Sequence, residues 1–191
     1  MISFQNTKIN WRDFLKFDQA KSFDSITIQN IADEAMINRA TFYLHYQDKY
    51  DLLDHMIEHV LLEIEDVYDP TNHIKNKLLQ TNKLQATILR VFEHVEKHRF
   101  FYQVMFGEHG VYDFRHKIEH VIRNKFKDNL TELGKEKNDL LLPEELLLHF
   151  ASSAFIGVLT WWLKEEPYPS PGHMSKQILR IILKGPQVLR G

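Results

Sequence analysis

Apolar residues recur at spacings of three and four along most of the 191-residue chain, the period that lines one face of an α-helix. Leu52, Leu53, Met56, Ile57, Val60, Leu61 and Ile64 form the longest such stripe. No run of strict alternation is long enough to argue for a sheet, so the pattern predicts an all-α protein of nine helices. Thr27, Asn38 and Asp48 each stand before an apolar-periodic segment, where a side-chain oxygen can accept from an unpaired N–H of the first turn. Three short helices are therefore expected at 10–20, 27–35 and 38–46, followed by a long one from 48 that stops before Pro70. Further along, helices are expected at 74–97, 100–106 and 111–133, with a break at Gly107 and Gly110. Pro143, followed by Glu144 and Glu145, opens an apolar helix to about 165, and Ser170-Pro171 opens a last one to about 184.

Only Met36 and Ile37 separate the second helix from the third, which forces a tight turn and a steep crossing. Ile28, Ile31, Ala32, Ile37 and Phe42 can then meet in a small core closed by Trp11, Phe14 and Leu15. The outer face of the third helix, carrying Arg39, Ala40, Thr41, Tyr43 and His45, is left free to enter a major groove wide enough for one helix.

The run Phe23-Asp24-Ser25-Ile26-Thr27-Ile28-Gln29-Asn30-Ile31-Ala32-Asp33-Glu34-Ala35, then Ile37-Asn38-Arg39-Ala40-Thr41-Phe42-Tyr43, then His45-Tyr46-Gln47-Asp48-Lys49-Tyr50-Asp51-Leu52-Leu53 resembles the signature of the tetracycline-repressor (TetR) family. The resemblance implies a helix-turn-helix DNA-binding domain at 1–50 and a larger helical ligand-binding and dimerisation domain at 51–191. It also implies that Thr27, Tyr43 and Lys49 touch phosphates, roles their hydroxyl, phenol and cation suit. Arg39, Ala40, Thr41 and His45 match base-facing or groove-lining positions, Arg39 being suited to guanine, and Asn38 is counted with them among the DNA-binding residues. In the larger domain, residues 100–106 and Trp161-Trp162-Leu163 resemble the branch that includes regulators of dihydroxyacetone-kinase operons. Many family members take an inducer between helices, and Phe92, Tyr102, Met105, Phe155 and Trp162 are the residues expected to line such a pocket. The last two helices carry more apolar surface than one domain face can hide, and pairing with a second copy across a two-fold axis would bury it.

Charge tempers this picture. The chain carries a net charge of −2, and residues 1–49 hold six Lys/Arg against six Asp/Glu, so phosphate attraction rests on local placement and the salt dependence of binding should be shallow. The turn position that is glycine in the family is Met36, which either strains the backbone or reshapes the turn. These departures support an alternative, a TetR-like protein with weakened DNA binding that acts through a protein partner.

Absence of cysteine excludes disulfides, Cys-ligated metal and a Cys nucleophile. Residues 1–10 show neither the basic nor the apolar region of a secretory signal, so a cytoplasmic location is expected. The uncharged stretch 146–163 approaches the length of a membrane span. His149, Ser152, Ser153 and Thr160 interrupt it and its flanks are acidic, so no membrane association is expected.

Three histidine pairs stand at helical spacing: His55 with His59, His94 with His98, and His116 with His120. His55-Met56-Ile57-Glu58-His59 fits the H-x-x-E-H pattern of inverted zinc peptidases, which makes a zinc-dependent hydrolase the outsider. No third ligand is singled out, so all three pairs read as solvated or packing histidines, with no metal, cofactor or catalytic residue expected. The reading that results is a homodimeric, sequence-specific regulator, a repressor in keeping with the family's leaning. Its partners are a double-stranded DNA operator, a second copy, and a small-molecule inducer or protein co-regulator.

Overall fold

The computed structural model describes residues 25–68, 74–107, 112–133 and 142–185. Eight helices form among them, against nine expected: α1 (Ile28–Glu34), α2 (Arg39–Tyr43), α3 (Lys49–Val67), α4 (Thr81–Lys97), α5 (Arg99–Met105), α6 (Tyr112–Glu132), α7 (Glu144–Lys164) and α8 (Pro171–Lys184). The expected helix at 10–20, with Trp11, Phe14 and Leu15, lies outside the described residues, as do Asp69 and Pro70.

Two helix starts are corrected. Residues 74–97 do not form a single helix: Ile74–Lys75 (β1) and Leu78–Leu79 (β2) pair antiparallel, with Ile74 opposite Leu79, and the helix begins only at Thr81. Asn76 and Lys77 both adopt positive φ, 53° and 59°, the backbone of the two-residue turn whose twist matches a hairpin. Asn tolerates that conformation, while Ile74, Leu78 and Leu79 happen to sit at helical spacing, which hides two-residue strands from a periodicity argument. Pro143 also stands one place earlier than expected, as the residue that caps α7 rather than its first helical position.

The chain divides into two compact units. One comprises residues 1–60 and 100–115, the other 61–99 and 116–191, so that α3 begins in the first and ends in the second. In the first unit Ile31, Ala32, Phe42, Leu52 and Ile57 are buried, and Ile28 and Ile37 half-buried. A separate aromatic cluster in this unit joins α5 to the start of α6: Phe101 meets Phe114 edge-on at 5.5 Å, and Tyr102 stacks on Phe106 at 6.2 Å. The chain passes closely over the end of α5 at Gly107, where a Cβ would stand 3.1 Å from the Gln103 carbonyl oxygen and 3.2 Å from that of Val104.

In the second unit α4 packs along α8, and Phe92 meets Trp162 of α7 edge-on at 5.0 Å, both fully buried. Arg99 closes the C-terminal end of α7. Its guanidinium donates to the carbonyls of Trp162 (3.0 Å), Leu163 (3.0 Å) and Glu165 (3.3 Å) and lies 3.7 Å over the Tyr168 ring. A cation is suited to this place because the last carbonyls of a helix lack intrahelical donors and carry partial negative charge.

The helix α7 is long and apolar enough to cross a membrane, with a mean hydropathy of 1.6 over its most apolar window. Six of its residues, among them Leu148, Ile156, Leu159 and Trp162, are buried inside the unit. Leu146, Phe150 and Trp161 face outward from α7, and Ile181, Ile182 and Leu183 from the end of α8.

Candidate nucleic-acid interface and effector cavity

Short hydrogen bonds between near neighbours place the elements of the first unit. Thr27 and Asn30 cap α1 reciprocally: Thr27 Oγ1 accepts from the Asn30 amide at 3.2 Å, and Asn30 Oδ1 accepts from the Thr27 amide at 3.0 Å. Asn38 Oδ1 accepts from the Thr41 amide at 2.7 Å and opens α2. Asp48 Oδ1 accepts from the amides of Tyr50 and Asp51 at the start of α3. Each cap satisfies donors that a helix leaves open at its first turn.

The turn between α1 and α2 ends the first helix by a doubled bond. The Ile37 amide donates to Ala32 at 2.9 Å and the Met36 amide to Asp33 at 3.1 Å, the pattern that needs a left-handed residue at the position of Met36. Met36 supplies it at φ 54°. Of the two outcomes open to this residue, the backbone takes the strain and the turn keeps its shape.

On α2, Phe42 is fully buried while Arg39, Ala40 and Tyr43 are exposed and Thr41 half-buried. The helix is shorter than the expected 38–46, and His45 lies past its end, exposed. Arg39 lies along Tyr43, its guanidinium within 3.5 Å of the phenol oxygen. Two expected contact residues have a structural task besides: Asn38 caps α2, and the Thr41 hydroxyl donates to Asn38 Oδ1 at 3.0 Å. Thr27 is likewise engaged, its hydroxyl donating to Asn30 Oδ1 at 2.6 Å. The Lys49 ammonium donates to the Ile26 carbonyl at 2.9 Å, tying the start of α3 to the strand of chain before α1. Sequence reasoning did not anticipate Leu44, an apolar side chain 80% exposed beside the reading face.

The second unit holds a partly open cavity of about 400 Å³, within the range of small-molecule sites. Its wall is almost wholly apolar, with Ile88, Val91, Phe126 and Leu148 among the lining residues, joined by Tyr68, Lys125 and Asn129. Of the five residues expected to line a pocket, Phe155 lines this cavity. Phe92 and Trp162 are packed in the core of the same unit, and Tyr102 and Met105 are buried in the first unit. The lining residues come from seven elements, α3, β1, β2, α4, α6, α7 and α8, and from Tyr68 and Leu133 just past α3 and α6, a convergence that periodicity cannot reveal. The Asn129 amide donates to the Tyr68 phenol. Burial pushes Tyr68 up to about 12, against the Asn129 bond and with help from Asp128.

The histidine pairs part company. His55 is held by its own helix, its Nδ1 2.7 Å from the Asp51 carbonyl, and Glu58 and His59 are exposed. His94 and His98 are buried instead, and Glu63 of α3 reaches both. Burial acts to raise the Glu63 carboxyl, but attraction to His98 and hydrogen bonds from His98 and Lys97 outweigh it and hold the group below the usual carboxylate range.

A capped helix-turn-helix joined to a helical unit with an apolar cavity defines a class of one-chain transcriptional regulators. Residues 19–56 match the profile of the bacterial regulatory proteins of the tetR family, and residues 82–184 match the transcriptional regulator C-terminal region. The protein belongs to the TetR family of transcriptional regulators. An uncharacterized HTH-type transcriptional regulator of Bacillus subtilis (strain 168), YxbF, is 22% identical over 163 residues, which are 85% of this chain and 40% of that protein. The chain thus spans less than half the length of this curated relative. The fold is shared with the dihydroxyacetone kinase operon activator DhaS, at 18% identity and a TM-score of 0.65 over 97% of this chain and 98% of that one. It is shared too with the transcriptional regulator FadR from Bacillus subtilis, solved in complex with stearoyl-CoA, at 16% identity and a TM-score of 0.60 over 92% and 99% of the two chains.

Proposed function

We propose that this TetR-family regulator binds a double-stranded operator sequence-specifically as a homodimer in the cytoplasm, represses transcription, and is released by a ligand taken into the second unit. The observation that carries the proposal is the two-sided character of α2, with Phe42 sealed in the core and Arg39, Ala40 and Tyr43 turned outward. Such a helix can enter the major groove, where a guanidinium pairs with guanine and a phenol with a phosphate. Labour divides between a DNA-binding domain at 1–50 and a ligand-binding and dimerisation domain at 51–191. The outward apolar side chains of α7 and α8 favour a four-helix contact between copies.

The cavity suits a ligand with a long apolar part. A fatty-acyl compound has this chemistry, as does the ligand named for the FadR structure. Phe150 and Ile182 line the cavity and are also largely exposed. A ligand that moves them changes the surface offered to a second copy, and hence the spacing of two reading heads on one operator.

The test is fluorescence anisotropy with duplexes from the gene's own upstream region and with random duplex, each at two salt concentrations. Arg39→Ala should remove about 1–3 kcal/mol of discrimination between them, the worth of one bidentate base contact. Equal loss on both duplexes would remove Arg39 from its assigned role.

A second reading is that the protein acts through a protein partner. It draws on the neutral head and on Met36 and Leu44, apolar side chains 88% and 80% exposed near α2. No preference for the upstream duplex at either salt concentration would favour it.

A further inference from the structure

In the second unit, α3 brings Glu63 to the C-terminal end of α4, where His94 and the capping residue His98 stand one turn apart. Both imidazoles are buried, at 6% and 4% exposure, and the carboxylate is partly open, at 29%. One donor atom from each of the three residues lies within 4.8 Å of the other two, and no other group of three metal-binding side chains forms among the described residues.

One of the two spacings is close to that between ligands of an ion, and the other is shorter, that of a hydrogen bond. Glu63 Oε2 is 3.6 Å from His94 Nδ1 and 2.6 Å from His98 Nε2. The first separation is too long for a hydrogen bond, whereas two ligands of a tetrahedral ion with bonds of about 2.0–2.1 Å stand roughly 3.3 Å apart. The second needs to widen by only about 0.7 Å to meet the same value. Lys97 donates to the other carboxylate oxygen, Oε1, at 3.3 Å. That bond steadies the carboxylate with Oε2 turned to the histidines, as outer partners of metal ligands do.

We propose that Glu63, His94 and His98 bind one divalent transition-metal ion, Zn²⁺ above all, with solvent completing the coordination on the open side of Glu63. Two imidazoles and one carboxylate favour a borderline ion over the hard Ca²⁺ and Mg²⁺, and the absence of sulfur disfavours soft ions such as Cu⁺. The ion would join α3 to α4 across 31 or more positions of sequence, and α3 also carries residues of the first unit. It would thus act as a second effector of the regulator, a consequence that rests on the function proposed above, whereas the binding itself does not.

The experiment uses the full chain, freed of any tag and stripped of metal, titrated with Zn²⁺ alone by calorimetry and with Co²⁺ by visible absorption, without DNA. One ion per chain, a raised melting temperature and the intense absorption of four-coordinate Co²⁺ are expected. Glu63→Gln and His98→Gln should each weaken binding about tenfold or more, while His55→Gln and His116→Gln leave it unchanged. Circular dichroism of the metal-free variants confirms folding, and if a variant is unfolded the Co²⁺ spectrum of the unaltered chain decides. No binding, a six-coordinate spectrum, or binding that survives the double substitution Glu63→Gln/His98→Gln would overturn the site. Since DNA takes no part, such a failure leaves the DNA-binding proposal standing.

Discussion

The helix-turn-helix region and the second unit are held by bonds of different reach. Around α1 to α3 the capping hydrogen bonds join residues two or three apart, Thr27 with Asn30, Asn38 with Thr41, Asp48 with Tyr50 and Asp51, while a longer tie runs from Lys49 to Ile26. In the second unit the bonds that matter span the chain, 35 positions from Glu63 to His98, 61 from Tyr68 to Asn129 and 66 from Arg99 to Glu165. Local bonds fix where a helix begins and can be read from a short stretch of sequence. Distant ones fix which surfaces meet, and they arise only when the whole unit closes.

The sharpest way to strain this contrast is to ask whether the head's caps hold it together or merely mark its helix starts. Phe42 is fully buried, and Phe42→Ala should cost about 3–5 kcal/mol, the range for an aromatic lost from a core. Thr27→Ala, which removes a cap, should cost about 1 kcal/mol. Urea unfolding followed by circular dichroism gives both values. Comparable costs would mean that local bonds do hold the head, and the contrast would then be one of strength as well as reach.

The same difference explains what the sequence disclosed. Thr27, Asn38 and Asp48 mark helix starts through their own chemistry, so α1 to α3 could be placed from the residues alone, and α7 and α8 followed from Pro143 and Ser170-Pro171. The hairpin at 74–79 stayed hidden because strands of two residues carry no usable period. His94 and His98 drew notice through their spacing, but Glu63 lies 31 positions away from the nearer of them, and nothing in a linear pattern joins the three. For the cavity, an aromatic search found Phe155 and passed over Tyr68, Lys125 and Asn129, which stand far apart in sequence and share a wall only in the fold.

Burial of a group that closes the second unit can be probed through its proton. Burial raises Tyr68 to about 12 from the usual 10.0. Below pH 10 the phenol is protonated in folded and unfolded chains alike, and its contribution to stability is complete. Between pH 10 and 12 the unfolded chain releases the proton while the folded one keeps it, so stability falls as pH rises. A displacement of about two units corresponds to about 3 kcal/mol lost across that window. Urea midpoints measured at pH 9 and at increasing alkalinity should show the fall in the unaltered protein and a shallower one in Tyr68→Phe. Parallel curves would mean that burial does not hold the phenol in its protonated form.

The smallest expected effect tests the head where its local bonding works against itself. Met36 holds φ 54° so that its own amide and that of Ile37 can close α1, a conformation that costs a residue with a Cβ about 1–2 kcal/mol. Met36→Gly removes that cost but frees the unfolded chain, which gives back roughly 0.5–1 kcal/mol. The net gain should be about 0.5–1 kcal/mol, read as a higher urea midpoint at an unchanged slope. Because the side chain is 88% exposed, no packing is lost, and because the two closing bonds come from backbone amides, α1 and α2 keep their crossing. DNA affinity should therefore stay as it was while stability rises. Met36→Ala retains the Cβ and should gain nothing, so an equal gain from alanine would place the effect in the exposed methionine side chain and not in the turn.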